Sequence, residues 1–139
     1  MAIMKNICII GDGGWGTTLA ILLSKKGFNV TLWGVFPDYI EVLKSRRENV
    51  KFLPGVKIPD SIKFTSSMGE ALAGKEVVIL AAPSQFARGV FAILKMENLS
   101  GKKFISVTKG IENKTLKRIS EVAREVLGEQ DLADRKSVV

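Results

Sequence analysis

The sequence predicts an α/β fold with a doubly wound, mainly parallel sheet and helices on both faces. Three observations carry that expectation. Short apolar runs alternate with stretches of helical period along nearly the whole chain. The first apolar run breaks into a glycine-rich turn that opens a helix. The chain has 139 residues, 46% hydrophobic and 25% charged, which suits one globular core of ordinary composition. Strand–helix–strand order of this kind leads to parallel pairing with crossovers over the sheet faces. One domain spanning 1–139 is expected.

Residues 5–10 (KNICII) are a short apolar run ended by glycines, as in a buried parallel strand. Leu19, Leu22 and Leu23 stand at helical spacing and place a helix over 15–26, with Gly27 where a C-terminal cap belongs. Residues 29–33 (NVTLW) read as the second strand. Pro37 suits the first turn of a helix running to Arg47, with Ile40 and Leu43 three apart. Pro54, Gly55 and Pro59 make 49–59 a loop.

A short alternating strand is expected over 62–65. Ser67 and Glu70 then have capping-box spacing and open a short helix through Ala73. Residues 77–82 (VVILAA) form the most apolar strand, stopped by Pro83. A helix over 84–95 is expected to turn Phe86, Val90, Phe91 and Leu94 to one side, and 104–108 gives a further strand. A helix over 115–127 follows, with Leu116, Ile119, Val122, Ala123 and Val126 inward. The apolar run 136–139 stops without a turn or cap and is expected to begin a strand belonging to a larger protein, so the domain reads as truncated at its C-terminal end.

Composition removes several chemistries. With no histidine there is no His-based triad, imidazole base or His-ligated metal, and no metal is expected. The single cysteine, Cys8, cannot form an internal disulfide and is expected as a small core residue. No apolar stretch approaches the ~20 residues of a membrane span, and no signal peptide is visible, so a cytoplasmic location is expected. The net charge of +7 could serve nucleic acid, an anionic small ligand or solubility alone. Basic residues occur in ones and twos, and the ten aromatics are not interleaved with them, which favours a small anionic ligand over nucleic acid.

Gly11, Gly13 and Gly16 match G-x-G-x-x-G between a strand and a helix. In that context the first glycine allows the tight turn, the second lets backbone approach a pyrophosphate, and the third lets helix and strand pack closely. The helix start then aims free N–H groups and the positive dipole end at phosphates. This makes the fold Rossmann-type and the cofactor NAD or NADP. The acid that often closes the second strand and binds the ribose hydroxyls is absent, since Trp33 is followed by Gly34, Val35 and Phe36. NAD and NADP therefore both stay open, with Arg46 or Arg47 either serving a phosphate or simply solvated at a helix end.

Four segments together resemble the amino-terminal half of the NAD(P)-dependent glycerol-3-phosphate dehydrogenases. They are GDGGWGTTLA at 11–20, NVKFLPG at 49–55, APSQF at 82–86 and TKGIE at 108–112, in that family's order and spacing. The resemblance implies an oxidoreductase that interconverts sn-glycerol 3-phosphate and dihydroxyacetone phosphate with NAD(P)(H), supplying glycerol phosphate for phospholipid synthesis. It implies that Gly14 and Trp15 line the pyrophosphate, that Val35 and Phe36 lie by the adenosine, that Phe86 closes over the nicotinamide side, and that Lys109 reaches cofactor and substrate. Trp15 and Phe86 each also suit a core position, and Asn49 with the turn at 53–55 suits a structural role shaping the loop.

The family's second, helical domain carries its acid–base lysine, which would lie beyond Val139. No catalytic residue is therefore expected in this chain, which alone should bind cofactor better than it turns over substrate. A homodimer is a further expectation for the full-length enzyme. A nucleotide-sensing regulatory module, or another two-domain dehydrogenase of the hydroxyacid or 6-phosphogluconate type, would share the fold. Neither accounts for 49–55 together with 108–112.

Overall fold

Alternate side chains of a strand buried on both sides must satisfy two different cores. In the computed structural model, which describes residues 5–108, 110–128 and 130–134, strand β1 (Asn6–Ile10) does this. Cys8 and Ile10 join one apolar cluster, while Ile7 and Ile9 join the other. Strands β2 (Asn29–Trp33), β5 (Lys63–Thr65), β6 (Val77–Leu80), β7 (Lys103–Ser106) and β8 (Asp131–Asp134) complete a sheet in the order β5-β2-β1-β6-β7-β8. Every pairing in it is parallel.

Helices α1 (Gly14–Lys25) and α2 (Pro37–Arg46) cover the face that includes Ile7 and Ile9, through Ala20, Ile21, Tyr39, Ile40 and Leu43. Helices α3 (Met68–Leu72), α4 (Ala87–Leu94) and α5 (Ile119–Leu127) cover the other. Phe91 of α4 and Phe104 of β7 are essentially inaccessible there, and burial of each contributes about 1.5–3 kcal/mol. Cys8 is fully buried in the same cluster, and burial pushes its thiol up to about 12, as befits an inert core residue.

Local signals set most boundaries. Gly27, at φ +96°, ends α1, and the Gly27 and Phe28 amides bond back to Ser24 and Leu23 carbonyls. Arg47 ends α2 in the same left-handed conformation, at φ +52°. Ser67 caps α3 by accepting the Glu70 amide at 3.3 Å. The reciprocal half of the capping box is absent, because the Glu70 carboxylate accepts the Thr65 hydroxyl instead.

Several expectations are corrected. Residues 49–59 are not all loop: β3 (Glu48–Asn49) and β4 (Leu53–Lys57) form a separate antiparallel ribbon. A two-stranded ribbon has open edges, where Pro54 loses no ladder bond. Leu116, expected inward, is 68% exposed, and Phe86 does not share the buried side of Val90, Phe91 and Leu94 but is 67% exposed, because α4 and α5 begin only after these two residues. Leu116 has φ +60°, incompatible with the expected early helix start. Strand β8 lies earlier than the apolar run 136–139, which is outside the described residues. Among the described residues no helix is long and apolar enough to cross a membrane, and no group of three His, Cys, Asp or Glu could hold a metal.

Candidate functional site

From β1 the chain crosses to β2, and from β6 to β7, in opposite directions along the sheet. The loops after these two neighbouring strands part, and such a switch point is where open α/β sheets bind ligands. A cleft of about 1200 Å³ lies there. Its walls are the turn after β1, the segment after β2 with one side of α2 from Asp38 to Arg46, the ribbon's turn and the first turns of α4.

The glycines of the turn have separate tasks. The Gly11 amide bonds the Trp33 carbonyl at 2.9 Å, tying the turn to the end of β2. At φ +130° it leaves no room for a side chain, since a Cβ would sit 2.8 Å from the Ala81 carbonyl carbon. A Cβ on Gly16 would meet the Gly11 carbonyl oxygen at 2.2 Å, which fixes how closely α1 approaches β1. A Cβ on Gly13 would meet nothing within 4 Å, so this glycine faces open cleft. Gly14 is spaced by the ribbon, because its Cβ would lie 2.7 Å from the Phe52 carbonyl oxygen. No side chain caps α1 and no acid lies in its first turn, so its leading amides and positive dipole end are available to an anion.

The ribbon is fastened to this turn through Asn49, which is fully buried. Its amide nitrogen donates to the Asp12 carbonyl and to Thr17 Oγ1, both at 2.8 Å. Its amide oxygen accepts from the Tyr39 hydroxyl and, at 3.2 Å, from the Phe52 amide. One side chain thus joins the glycine turn, α1, α2 and the ribbon.

Val35 and Phe36 line one end of the cleft and Phe86 the other, each substantially exposed. Phe52 stands over Gly14 and meets the Tyr39 ring edge-on, with centroids 6.2 Å apart. Exposed apolar groups gathered around one concavity mark a ligand site better than scattered ones do. Of the expected site residues, Gly11, Gly13, Gly14, Val35, Phe36 and Phe86 are brought together here. Gly16 lies behind the turn, and Trp15, half exposed, is not among the cleft-lining residues. Lys109 lies outside the described residues.

The chain on either side of position 109 is well anchored. The Thr108 hydroxyl reaches the Leu80 and Ala82 carbonyls at 3.1 and 2.8 Å. Arg88 of α4 grips the Glu112 carboxylate at 2.8 and 3.0 Å and the Glu125 carboxylate at 3.0 Å. This pairing, with the Thr115 hydroxyl, holds the Glu112 carboxyl down at about 2.

The two arginines ending α2 differ in role. Arg46 lines the cleft. Arg47 turns away: its guanidinium donates to the Ile62 carbonyl at 2.6 Å and the Pro59 carbonyl at 3.3 Å, and lies 5.1 Å above the Phe64 ring centre. Arg47→Ala is therefore expected to cost about 1–2 kcal/mol of stability in urea unfolding. Arg46→Ala should change it by no more than about 0.5 kcal/mol. Equal effects would contradict the assignment.

Charge in the cleft comes from Asp12, Asp38, Arg46 and Lys51. Burial raises the Asp12 carboxyl from its ordinary value, opposed by its own backbone hydrogen bond and by Lys51. Sequence reasoning passed over Asp12, Tyr39 and Lys51. Asp12 stands inside the glycine motif, but nothing in the spacing marks it, since its neighbour Gly34 is distant in the chain.

Comparison with known proteins gives one consistent result. The family description "NAD-dependent glycerol-3-phosphate dehydrogenase N-terminus" matches residues 6–135. The glycerol-3-phosphate dehydrogenase [NAD(P)+] of Prosthecochloris aestuarii is 44% identical over 125 residues, covering 90% of this chain and 38% of that protein. The glycerol-3-phosphate dehydrogenase structure from Coxiella burnetii superposes with a TM-score of 0.83 at 28% identity, over 91% of this chain and 38% of its own. That from Saccharomyces cerevisiae gives 0.76 at 27% identity, over 96% and 41%. The chain thus spans well under half the length of these relatives.

Proposed function

Because the chain belongs to the family of NAD-dependent glycerol-3-phosphate dehydrogenase N-termini, we propose that it binds a nicotinamide dinucleotide in the cleft between β1 and β6. It would serve there as the cofactor half of an oxidoreductase interconverting sn-glycerol 3-phosphate and dihydroxyacetone phosphate. The observation that carries this reading is the uncapped start of α1 behind Gly13, which opens onto the cleft with no atom in the way. Unpaired amides, a dipole end and free space fit a pyrophosphate.

In this reading Gly11 and Gly16 shape the turn, and the backbone of Gly13, Gly14 and Trp15 binds the pyrophosphate. Val35 and Phe36 pack on the adenosine. Phe86, across the cleft, excludes water from the nicotinamide side. When bound, the nicotinamide ring supplies the reversible exchange of hydride. Lys109, three residues after the last residue of β7 in the sequence, would hold both cofactor and the substrate's phosphate by charge-assisted hydrogen bonds. Residues 1–139 act as one cofactor domain. The setting we propose is a cytoplasmic enzyme, a homodimer at full length, feeding glycerol phosphate to phospholipid synthesis.

The test is a titration of the 139-residue chain with NADH, following energy transfer from tryptophan. Trp33 lines the cleft and serves as the donor. Saturable transfer, competed by NAD+ but not by inorganic phosphate at equal concentration, is expected. Absence of saturable binding would contradict the proposal.

A further inference from the structure

Strand β2 ends without an acid of its own, yet the structure puts a carboxylate beside that end. Asp12, second residue of the glycine turn, reaches across from β1. A Cβ added to Gly34 would stand 2.4 Å from Asp12 Oδ2 and 2.8 Å from its Cγ. Glycine at 34 therefore makes the room that the carboxylate occupies. Asp12 Oδ2 is buried and meets no hydrogen-bond donor among the described residues. The backbone at this position is fixed independently, since the Asp12 carbonyl accepts from Asn49 Nδ2 at 2.8 Å. A buried carboxylate oxygen without a donor is costly to leave so, and its residue lines the cleft, as Gly34 and Val35 do.

In dinucleotide-binding sheets an acid at the end of the second strand accepts a hydrogen bond from the ribose 2′-hydroxyl. We propose that Asp12 takes that part here, delivered from the glycine turn instead of from β2. Its carboxylate accepts from the adenosine 2′-hydroxyl and repels a 2′-phosphate, so the chain selects NAD(H) over NADP(H). The inference rests on the dinucleotide reading above and goes beyond it, because the relatives, named as NAD(P)+ enzymes, leave the choice open. Arg46 and Lys51 also line the cleft and favour phosphate, and Asp38 opposes it. Of these charges only Asp12 abuts Gly34, the position from which β2 would have presented its own acid.

The experiment compares dissociation constants for NADH and NADPH, measured separately on the wild-type chain, Asp12→Asn and Asp12→Ala. Wild type is expected to bind NADH at least about tenfold more tightly than NADPH, the worth of one charged hydrogen bond. Asp12→Asn should tighten NADPH by removing the charge, and Asp12→Ala should also weaken NADH by removing the acceptor. In both, the NADPH-to-NADH ratio should move towards one, whereas a purely structural role would weaken both nucleotides equally. Gly34→Ala, which presses a methyl group onto the carboxylate, should shift the ratio the same way. Urea midpoints show that each variant folds.

A ratio unchanged within about twofold in folded Asp12 variants, or a wild-type preference for NADPH, would overturn the assignment while leaving the dinucleotide site intact. Binding of neither nucleotide by wild type would overturn both.

Discussion

Gly16→Ala is expected to destabilise the chain by about 3 kcal/mol, lowering its thermal midpoint by roughly 10 °C. The added methyl group would lie 2.2 Å from the Gly11 carbonyl oxygen, and backbone cannot rotate out of the way as a side chain can. Relief requires α1 to move off β1, which also displaces the amides that face the cleft. Gly13→Ala is the control. Its methyl group meets no protein atom within 4 Å, and Gly13 has φ −72°, which alanine adopts freely. Stability should change by less than about 1 kcal/mol while NADH affinity falls at least about tenfold, because the methyl group stands where the phosphates pass. Thermal unfolding and nucleotide titration of the two variants separate a glycine needed for the fold from one needed for the ligand.

Asn49→Ala should cost about 3 kcal/mol, although the residue touches neither sheet face. Removing its side chain leaves the Asp12 carbonyl, the Tyr39 hydroxyl and the Phe52 amide without their partner in a buried place. Asn49→Asp should be no better, because its second oxygen would face the Asp12 carbonyl where the amide now donates. Asn49 supplies the ribbon's side-chain hydrogen bond to the glycine turn, leaving only the packing of Phe52 on Gly14 when it is removed. Amide hydrogen exchange over 48–57 should therefore accelerate more than exchange in β1 or β6. Uniform acceleration would mean that Asn49 acts on global stability alone.

The parts of the fold that were legible in the sequence are those with local causes. Strands β1 and β2, helices α1 and α2, and the glycine turn each have a hydrophobic period and a punctuating glycine or proline, and they lie within a residue or two of expectation. The ribbon was hidden because Pro54 and Gly55 signal a loop, and its two short strands are held by Asn49 and by packing on Gly14, which are non-local. Phe86 and Leu116 have helical spacing but precede their helices. Residues 111–118 are instead fixed by the Ile111–Arg118 bridge and by Arg88 across on α4, which holds Glu112.

The candidate site divides in the same way. Gly11, Gly13 and Gly16 are readable from spacing because each position needs the absence of a Cβ. Asp12 is not readable, because its meaning depends on Gly34, 22 positions on in the chain and adjacent only in the folded sheet. Sequence inspection found no acid at the end of β2 and could not see that one arrives from the next strand.

The most direct test of the account is a two-dimensional amide NMR titration of the chain with NADH. The pyrophosphate is assigned to the start of α1 and the adenosine to the end of β2. The amides of Gly13, Gly14 and Trp15 should therefore shift together with those of Val35 and Phe36, all saturating at one concentration. Shifts confined to exposed lysines elsewhere, with the glycine-turn amides unmoved at saturating NADH, would contradict it.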